Sequence, residues 1–404
     1  MMPFILIKSL MKVKIFLNNF FYLTTILLLA EGCVKKNIPT SNSISSNNKL
    51  QFVFTSDPHF GLSKNTFQGS MNVDALVVNS SLIAKMNMLL NTHFPVDSGV
   101  QSGNLISYID AVILGGDFAN REESGVQSAT ISWNQFVSTY INGNYLTDRN
   151  NNRTPLFIIP GNHDVSNAVG YYKIMNPITD VMSMMSMYNL MMNPVVPKTT
   201  ATYNYASDKI HFSKDMDGIH FMFLNIWPDS TERIWMESDL QKVNISTPVL
   251  LFAHSVPDVE SRFFTNPNGL HDINAIDKFE NLVPEIFKDG GKTINDASII
   301  EQREFTSFLK QHTNIKAYFH GHTNYNQFYD WTGPDNDILL HCFRVDSPLK
   351  GSTSSTDETK LSFHVATIDT ASKQMTIREC LWNPTPSLPT TPVTWGASIT
   401  VSLK

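Results

Sequence analysis

Five short apolar runs recur along the chain, and each is followed at once by a polar fragment. The runs cover residues 52–54, 111–114, 156–159, 249–252 and 315–319 and are rich in branched or aromatic residues, which is typical of buried β-strands. Ligands bind at the ends of such strands in sheet-based α/β enzymes, so the fragments are predicted to form one site. They are Asp57-Pro58-His59, Gly115-Gly116-Asp117, Gly161-Asn162-His163-Asp164, Ala253-His254-Ser255 and Gly321-His322-Thr323-Asn324.

Helices are predicted between the first strands. Apolar residues recur at helical spacing over residues 73–90, 131–140 and 233–243. The alternation of strand and helix in the first half favours parallel strands with helices outside the sheet. Further strands are predicted at 203–205, 210–212, 218–225, 325–331, 337–344, 361–369 and 374–381. Two packed sheets flanked by helices accommodate both sets.

Two long segments interrupt this scheme, near residues 171–200 and 258–295. Loops of this length in a compact domain are usually functional. The first segment is rich in methionine, and we interpret it as a helix that packs on the core. The alternative is a pliable apolar wall beside the site, because methionine adapts to irregular ligands.

Composition narrows the possible functions. With 404 residues, 42% of them hydrophobic and 16% charged, the chain can bury a large core in one domain with insertions or in two small domains. The formal charge of −6 and the lack of a basic stripe argue against nucleic acid as a partner. A site that handles phosphate would therefore need local positive charge, which metal ions supply.

The N-terminal residues 1–33 have the layout of a signal peptide, with Lys12 and Lys14 before an apolar stretch over 15–30. This stretch is too short and too interrupted for a transmembrane helix. Its end at Cys33 resembles a bacterial lipobox, although Glu31 is unusual there. We expect an exported protein of the cell envelope, periplasmic or anchored to the membrane by a lipid on Cys33. Ordinary cleavage with release is the alternative.

The segment that follows the signal peptide supports a tether, because residues 34–50 are rich in Ser and Asn and resemble a flexible spacer. Only Cys342 and Cys380 remain after Cys33, so the sequence contains no disulfide framework. Pairing of these two cysteines would require their strands to be neighbours.

The residue types in the five fragments suit divalent metals and proton transfer. In an extended Asp57-x-His59 segment both side chains point the same way, and a carboxylate with an imidazole suits a divalent ion. The two oxygens of Asp117 can reach two ions. His163 can move a proton while Asp164 holds its imidazole in one tautomer. Each fragment alone fits a structural role, and their joint occurrence in order indicates a site.

In this order the fragments resemble the calcineurin-like metallophosphoesterase superfamily, which includes purple acid phosphatases and cyclic-nucleotide phosphodiesterases. The family pattern runs Asp-x-His, Gly-Asp, Gly-Asn-His-Asp or Glu, His and Gly-His-x-His, and the match covers roughly residues 51–345. The resemblance implies an α/β fold, a four-layer αββα sandwich with two mixed sheets, over residues 51–382. Residues 383–404 are then a C-terminal tail rich in Pro and Thr.

The resemblance also implies a dinuclear centre that hydrolyses phosphate esters, with a bridging hydroxide as the nucleophile. His163 would protonate the leaving group. The ions would be manganese, iron or zinc. Asp57 and His59 would bind the first ion and Asp117 would bridge, while the second ion would be held by Asn162, His254 and His322.

Two positions bear on how closely the family pattern applies. Asn324 stands where the family has a histidine, and its hard amide oxygen should weaken zinc and favour manganese, magnesium or calcium at the first site. Two alternatives are that the first ion is lost, or that His320 or His341 supplies the missing histidine ligand. In Asn120-Arg121, Arg121 matches the family residue that grips substrate phosphate, unless it is a solvent-exposed charge. Asn120 replaces the Asp that partners the catalytic histidine.

Two other functions remain open. One is a surface binding lipoprotein that keeps the fold with weak or no catalysis, and His163 argues against it because a binding protein has no use for a proton donor there. The other is a nucleotidase or nuclease of the same superfamily.

Overall fold

The computed structural model describes residues 48–119, 127–164, 181–205, 207–258 and 299–404. In chain order the strands are β1 (Lys49–Thr55), β2 (Ser63–Phe67), β3 (Ser70–Asp74), β4 (Ala111–Leu114), β5 (Leu156–Ile158), β6 (Phe212–Met216), β7 (Ile219–Phe223), β8 (Val249–Phe252), β9 (Ile315–His320), β10 (Gln327–Trp331), β11 (Leu340–Arg344), β12 (Ser362–Asp369), β13 (Gln374–Leu381) and β14 (Thr394–Ser402). The helices are α1 (Ala75–Asn87), α2 (Ala129–Phe136), α3 (Val181–Met192), α4 (Ser230–Leu240) and α5 (Ile299–Gln311).

Twelve of these strands form two mixed sheets. The first has the order β14-β13-β12-β1-β4-β5, and the second has the order β10-β11-β9-β8-β7-β6. In the first sheet β1, β4 and β5 are parallel, and in the second β7, β8, β9 and β11 are parallel. The remaining pairs are antiparallel, and β2 with β3 forms a separate hairpin. All five apolar runs that precede the polar fragments are confirmed as strands.

The two sheets pack face to face through phenylalanine side chains. Phe52 of β1 contacts Phe221, Phe252 and Phe319 of the second sheet edge to face, with ring centroids 5.5 to 5.8 Å apart. Because side chains alternate along a strand, Val53 points to the opposite face. There it joins an apolar cluster with residues of α1. The second sheet likewise shares that cluster with α4 and α5, so the four-layer αββα sandwich is confirmed.

Helix starts follow from capping residues. The side chain of Asp74 accepts a hydrogen bond from the backbone N–H of Leu76 at the start of α1, and Asp229 accepts one from Glu232 at the start of α4. These helices correspond to the predicted segments 73–90 and 233–243. The predicted helix 131–140 is α2, which continues as a π-helical turn over Val137–Ile141.

One predicted strand is wrong. Residues 203–205 form a turn region, in which the Tyr203 N–H donates to Thr199 O and the Asn204 N–H donates to the carboxylate of Asp208. The aromatic alternation of Tyr203 and Tyr205 reflects packing of the two rings against each other, with centroids 5.3 Å apart. Of the predicted strand 210–212, only Phe212 lies in β6.

The described part of the methionine-rich segment begins with the helix α3. Met184 and Met187 are fully buried in the core cluster that also contains α1 and α2 residues. The interpretation as a core-packing helix is therefore confirmed for residues 181–192. Residues 171–180 and 259–295 of the two segments lie outside the described residues, as do residues 1–47 with Cys33.

The C-terminal stretch 383–404 carries a strand that the sequence pattern does not predict. The strand β14 pairs antiparallel with β13 and forms an edge of the first sheet. Val401 and Leu403 are buried there, so this stretch contributes to the core between the sheets.

Cys342 and Cys380 are free and buried, and they lie in different sheets. The two cysteines are therefore not paired in this structure. Within the described ranges, the helices are too short or too polar to cross a membrane.

Candidate metal centre

The polar fragments meet at one edge of the sandwich. Each follows the carboxyl end of a parallel strand, and hydrogen bonds tie the fragments to one another. The backbone N–H of Asp57 donates to Gly116 O at 3.0 Å, and that of Gly321 donates to His254 O at 3.2 Å. The first contact joins the ends of β1 and β4, and the second joins the ends of β8 and β9. The prediction that five distant fragments come together is confirmed.

The backbone at this edge is unusual for residues with side chains. Five site residues have positive φ angles between 44° and 68°: Asp57, His59, Asp117, His322 and Asn324. Asp, Asn and His tolerate this left-handed region better than most residues, but it still costs free energy. Such strain clusters at functional sites because the surrounding structure imposes it.

Glycine permits the closest approach between two of the turns. A Cβ at Gly161 would overlap the Oδ1 and backbone N of Asp117, and a Cβ at Gly116, which has φ +99°, would lie 2.8 Å from the Nδ1 of His254. The three fragments can therefore pack against one another only with glycine at these two positions.

One group of side chains beside the Asp117 carboxylate comes from both sheets, with His254 and His322 after strands of the second sheet and Asn162 after β5 of the first. The Oδ2 of Asp117 lies 3.2 Å from the Nε2 of His254. The Oδ1 of Asn162 lies 3.0 Å from both His254 Nε2 and His322 Nδ1. The donor atoms of Asp117, His254 and His322 all lie within 4.8 Å of one another, a spacing that fits one metal ion.

A second group shares Asp117 from the side of the first sheet. The Nε2 of His59 lies 3.6 Å from Asp57 Oδ1 and 3.8 Å from Asp117 Oδ2. His163 belongs to this group, since its ligand atoms, those of His59 and those of Asp117 lie within 4.8 Å. The His163 ring meets the His59 ring edge to face with centroids 4.9 Å apart.

The buried carboxylate and imidazole groups of the site shift one another's pKa. Burial opposes ionisation of Asp117, but His254 and His163 hold the pKa of its carboxyl well below the usual value. Burial also opposes a charge on His254, but the Asp117 carboxylate raises the pKa of that imidazole to about 9. Burial and the charge of Lys350 lower the pKa of His59, so its ring is neutral and can donate a lone pair to a metal.

Asp164 does not hold the His163 imidazole as expected. Its two oxygens accept hydrogen bonds from the backbone N–H groups of Asp117, Ala119 and Gly161 at 2.8 to 3.0 Å. The carboxylate therefore joins the turn after β4 to the turn after β5. His163 is positioned instead through its own backbone N–H, which donates to Asp117 Oδ1 at 2.8 Å.

Asn324 is joined to the backbone of His322. Its amide Nδ2 donates to the backbone carbonyl of His322 at 3.0 Å, while its Oδ1 is buried without a hydrogen-bond partner among the described residues. Compensation by His320 or His341 is not supported. His320 contacts Tyr329 OH and Gly321 O through its ring nitrogens, and His341 contacts the carboxylate of Asp330.

Asn120 and Arg121 lie outside the described residues. The structure adds one residue that the motifs do not contain, Lys350, whose Nζ lies 3.2 Å from the Nε2 of His163. Lys350 follows β11 in a loop without a recognisable pattern, so no sequence signal marks it.

One protein family matches this chain over more than half of its length. Residues 50–326 match the family model described as calcineurin-like phosphoesterase. Among solved structures, the chain is similar to a dimetal phosphatase from Danio rerio, with 9% identity, 88% of this chain and 99% of that chain covered, and a TM-score of 0.48. It is also similar to PhoD, with 12% identity, 88% and 70% coverage and a TM-score of 0.47. None of the curated proteins matches.

Proposed function

The chain belongs to the calcineurin-like phosphoesterase family, and we propose that it hydrolyses phosphate esters with two divalent metal ions. One observation carries the proposal. The carboxylate of Asp117 lies between two groups of ligand-type side chains, with its Oδ2 3.8 Å from His59 and 3.2 Å from His254. A carboxylate shared in this way suits a pair of neighbouring ions.

The side chains present fit such a pair. Asp57 Oδ1, both ring nitrogens of His59 and Asn324 Oδ1 are buried without hydrogen-bond partners among the described residues. Unpaired buried polar atoms are costly, and coordination to a cation removes that cost. We assign Asp57, His59 and Asn324 to the first ion and Asp117 to both. To the second ion we assign Asn162, His254 and His322.

Held by these residues, two ions would supply an activated water for attack at phosphorus and would neutralise charge on the phosphoryl oxygens. The protein itself positions the substrate and moves the proton. His163 is partly buried at the site and fixed to Asp117 through its backbone, so its ring is placed to protonate the leaving oxygen of a bound ester. Asp164 keeps that turn in place through backbone N–H groups.

The proposal is tested with protein from residue 48 onward, stripped of metal and assayed on aryl phosphate monoesters and diesters. Manganese, zinc, magnesium and iron are added one at a time. We expect at least one metal to restore hydrolysis, and we expect Asp117→Asn to lose it with every metal. Hydrolysis no faster than that of Asp117→Asn would leave the binding lipoprotein as the better account.

We further propose that Asn324 sets the metal preference of the first site. Its Nδ2 is engaged by the His322 carbonyl, which leaves the harder oxygen as the available donor. Asn324→His should therefore raise zinc affinity relative to manganese and magnesium. Calorimetric titration of the apo-protein with each metal measures this shift, and an unchanged order of affinities would refute the assignment.

A further inference from the structure

Lys350 is placed beside the group that we assign to proton transfer. Its Nζ lies 3.2 Å from the Nε2 of His163, and both side chains are partly buried. An ammonium group has three N–H donors and no acceptor, so in this contact Lys350 donates to the lone pair of His163 Nε2. The contact holds a full positive charge beside His163, where it attracts an anion.

The loop that carries Lys350 is fixed to the end of β1. The hydroxyl of Ser347 donates to the backbone carbonyl of Asp57 at 2.8 Å and accepts from the backbone N–H of Lys350 at 3.0 Å. It also accepts from Leu349 N–H at 3.2 Å. Ser347 is only 1% exposed, so this link is protected from water. The position of Lys350 is therefore coupled to the position of Asp57.

The charge of Lys350 lies beside the first group of ligands. Its Nζ is 3.2 Å from His163 Nε2, and the His163 ring meets the His59 ring edge to face. Substrate oxygens that approach Asp117 from the side of His163 therefore meet a positive charge supplied by the protein.

We propose that Lys350 binds a phosphoryl oxygen of the substrate and selects phosphate monoesters over diesters. A monoester carries a second negative charge and an oxygen free of any organic group, and both favour an ammonium partner. In a diester that oxygen carries the second ester group, so Lys350 gains little. The inference rests on the proposed function, since it assumes that the phosphoryl group lies between Asp117 and His163.

The test compares an aryl phosphate monoester and diester that share one leaving group. Lys350→Met keeps the length of the side chain and removes its charge, and Lys350→Arg retains the charge. Loss of one charge-assisted hydrogen bond should lower kcat/KM for the monoester about 10- to 100-fold, with the diester rate nearly unchanged. Lys350→Arg should keep most of the monoester activity.

Lys242→Met is the matched control, because it removes the same charge from a side chain that is 73% exposed. Lys242 follows α4 and precedes the start of β8, whereas His254 follows the end of that strand. This control should behave as the wild type on both esters. Metal content and melting temperature should be equal in all variants, which shows that each is folded and loaded.

Binding of inorganic phosphate provides a readout that does not depend on turnover. By calorimetry, Lys350→Met should bind phosphate about tenfold or more weakly than the wild type, and Lys350→Arg should bind it nearly as well. An equal loss on both esters, or unchanged phosphate binding, would overturn the inference. If the wild type hydrolyses no ester with any metal, the proposed function fails, while the phosphate titration still decides the role of Lys350.

Discussion

The side chains of this site are both buried and polar or charged. Asp57, His59, Asp117 and His254 are all at most 2% exposed, yet Asp57 Oδ1 and both ring nitrogens of His59 have no hydrogen-bond partner among the described residues. In a protein core this arrangement is unfavourable unless a cation occupies the space between the groups.

The residue types at the strand ends could be predicted from sequence, because few side chains ligate divalent metals and they recur in a recognisable order. Their partners could not. The three backbone N–H groups that bind Asp164 come from two turns that lie more than forty residues apart in the chain. Lys350 likewise reaches His163 only through the folded loop after β11.

A buried histidine away from the metal centre predicts how stability varies with pH. His364 is fully buried beside Phe54 and Phe328, and burial lowers the pKa of its ring from 6.5 to about 3. The unfolded chain takes up a proton as the pH falls below 6.5, but the folded chain does not until about 3. Stability is therefore full above pH 6.5 and falls as the pH decreases through that window.

At about pH 5 the loss of unfolding free energy from this residue is about 2 kcal/mol. In His364→Gln the amide can still donate to Asn326 Oδ1, which lies 2.6 Å from the His364 Nε2, but it cannot titrate. Urea unfolding of both proteins between about pH 5 and 7 should show a shallower pH dependence in the variant. An equal dependence of the unfolding free energy on pH in the two proteins would contradict the shift in the His364 pKa.

At the scale of elements, the turns after β4 and β5 depend on their glycines. In Gly161→Ala the new Cβ overlaps Asp117 Oδ1 and N, so one of the two turns must move and Asp117 with it. We expect manganese affinity to fall about tenfold or more, as for other substitutions that displace a ligand. Isothermal titration measures this.

Gly218→Ala is the control for that substitution. Gly218 also has a positive φ, +77°, but a Cβ there meets nothing within 4 Å. It should cost only about 1 kcal/mol of backbone strain and leave metal affinity unchanged. Equal metal binding by Gly161→Ala and the wild type would show that the turn tolerates the change.

The edge strand β14 makes the C-terminal stretch part of the fold. Truncation after residue 391 removes β14, exposes the edge of β13 and takes away the buried side chains of Val401 and Leu403. These two side chains alone contribute about 3 to 6 kcal/mol, and an open strand edge promotes aggregation. The truncated chain should unfold at lower temperature in calorimetry, and an unchanged melting temperature would mean that β14 is dispensable.

Elements were predictable where local pattern and tertiary packing agree. The buried runs before Asp57, Asp117 and His254 are continuous apolar stretches, as expected for strands covered on both faces. The tail strand β14 was not predictable, because most of its residues are exposed at the edge and show no buried face over residues 394–400. Residues 203–205 were wrongly predicted as a strand. Their aromatic rings alternate as in a strand and pack against each other, but the backbone forms a turn.

For the whole molecule, the pairing of two sheets determines where the chemistry lies. Parallel strands from both sheets direct their carboxyl ends to one edge, and neither sheet alone supplies both groups of ligands. The apolar phenylalanine core between the sheets keeps these edges in register. The architecture was predictable from the family resemblance, whereas the N-terminal assignment rests on sequence alone.

Export and anchoring give a separate prediction. If residues 1–33 are a lipoprotein signal, the full chain expressed in a bacterial host should incorporate labelled fatty acid and sediment with membranes. Cys33→Ser should lose the label and be released from the membrane fraction. A wild-type chain without label, or a Cys33→Ser chain that stays equally in the membrane fraction, would favour ordinary cleavage with release.

The central claim is that Asp117 joins two metal sites, and metal stoichiometry tests it most directly. Protein from residue 48 onward is loaded with manganese, dialysed to remove free ion and analysed by plasma mass spectrometry beside Asp117→Asn. We expect about two ions per wild-type chain and one or fewer in the variant. A wild-type chain that retains no more than one ion, or a variant that retains two, would contradict the dinuclear centre.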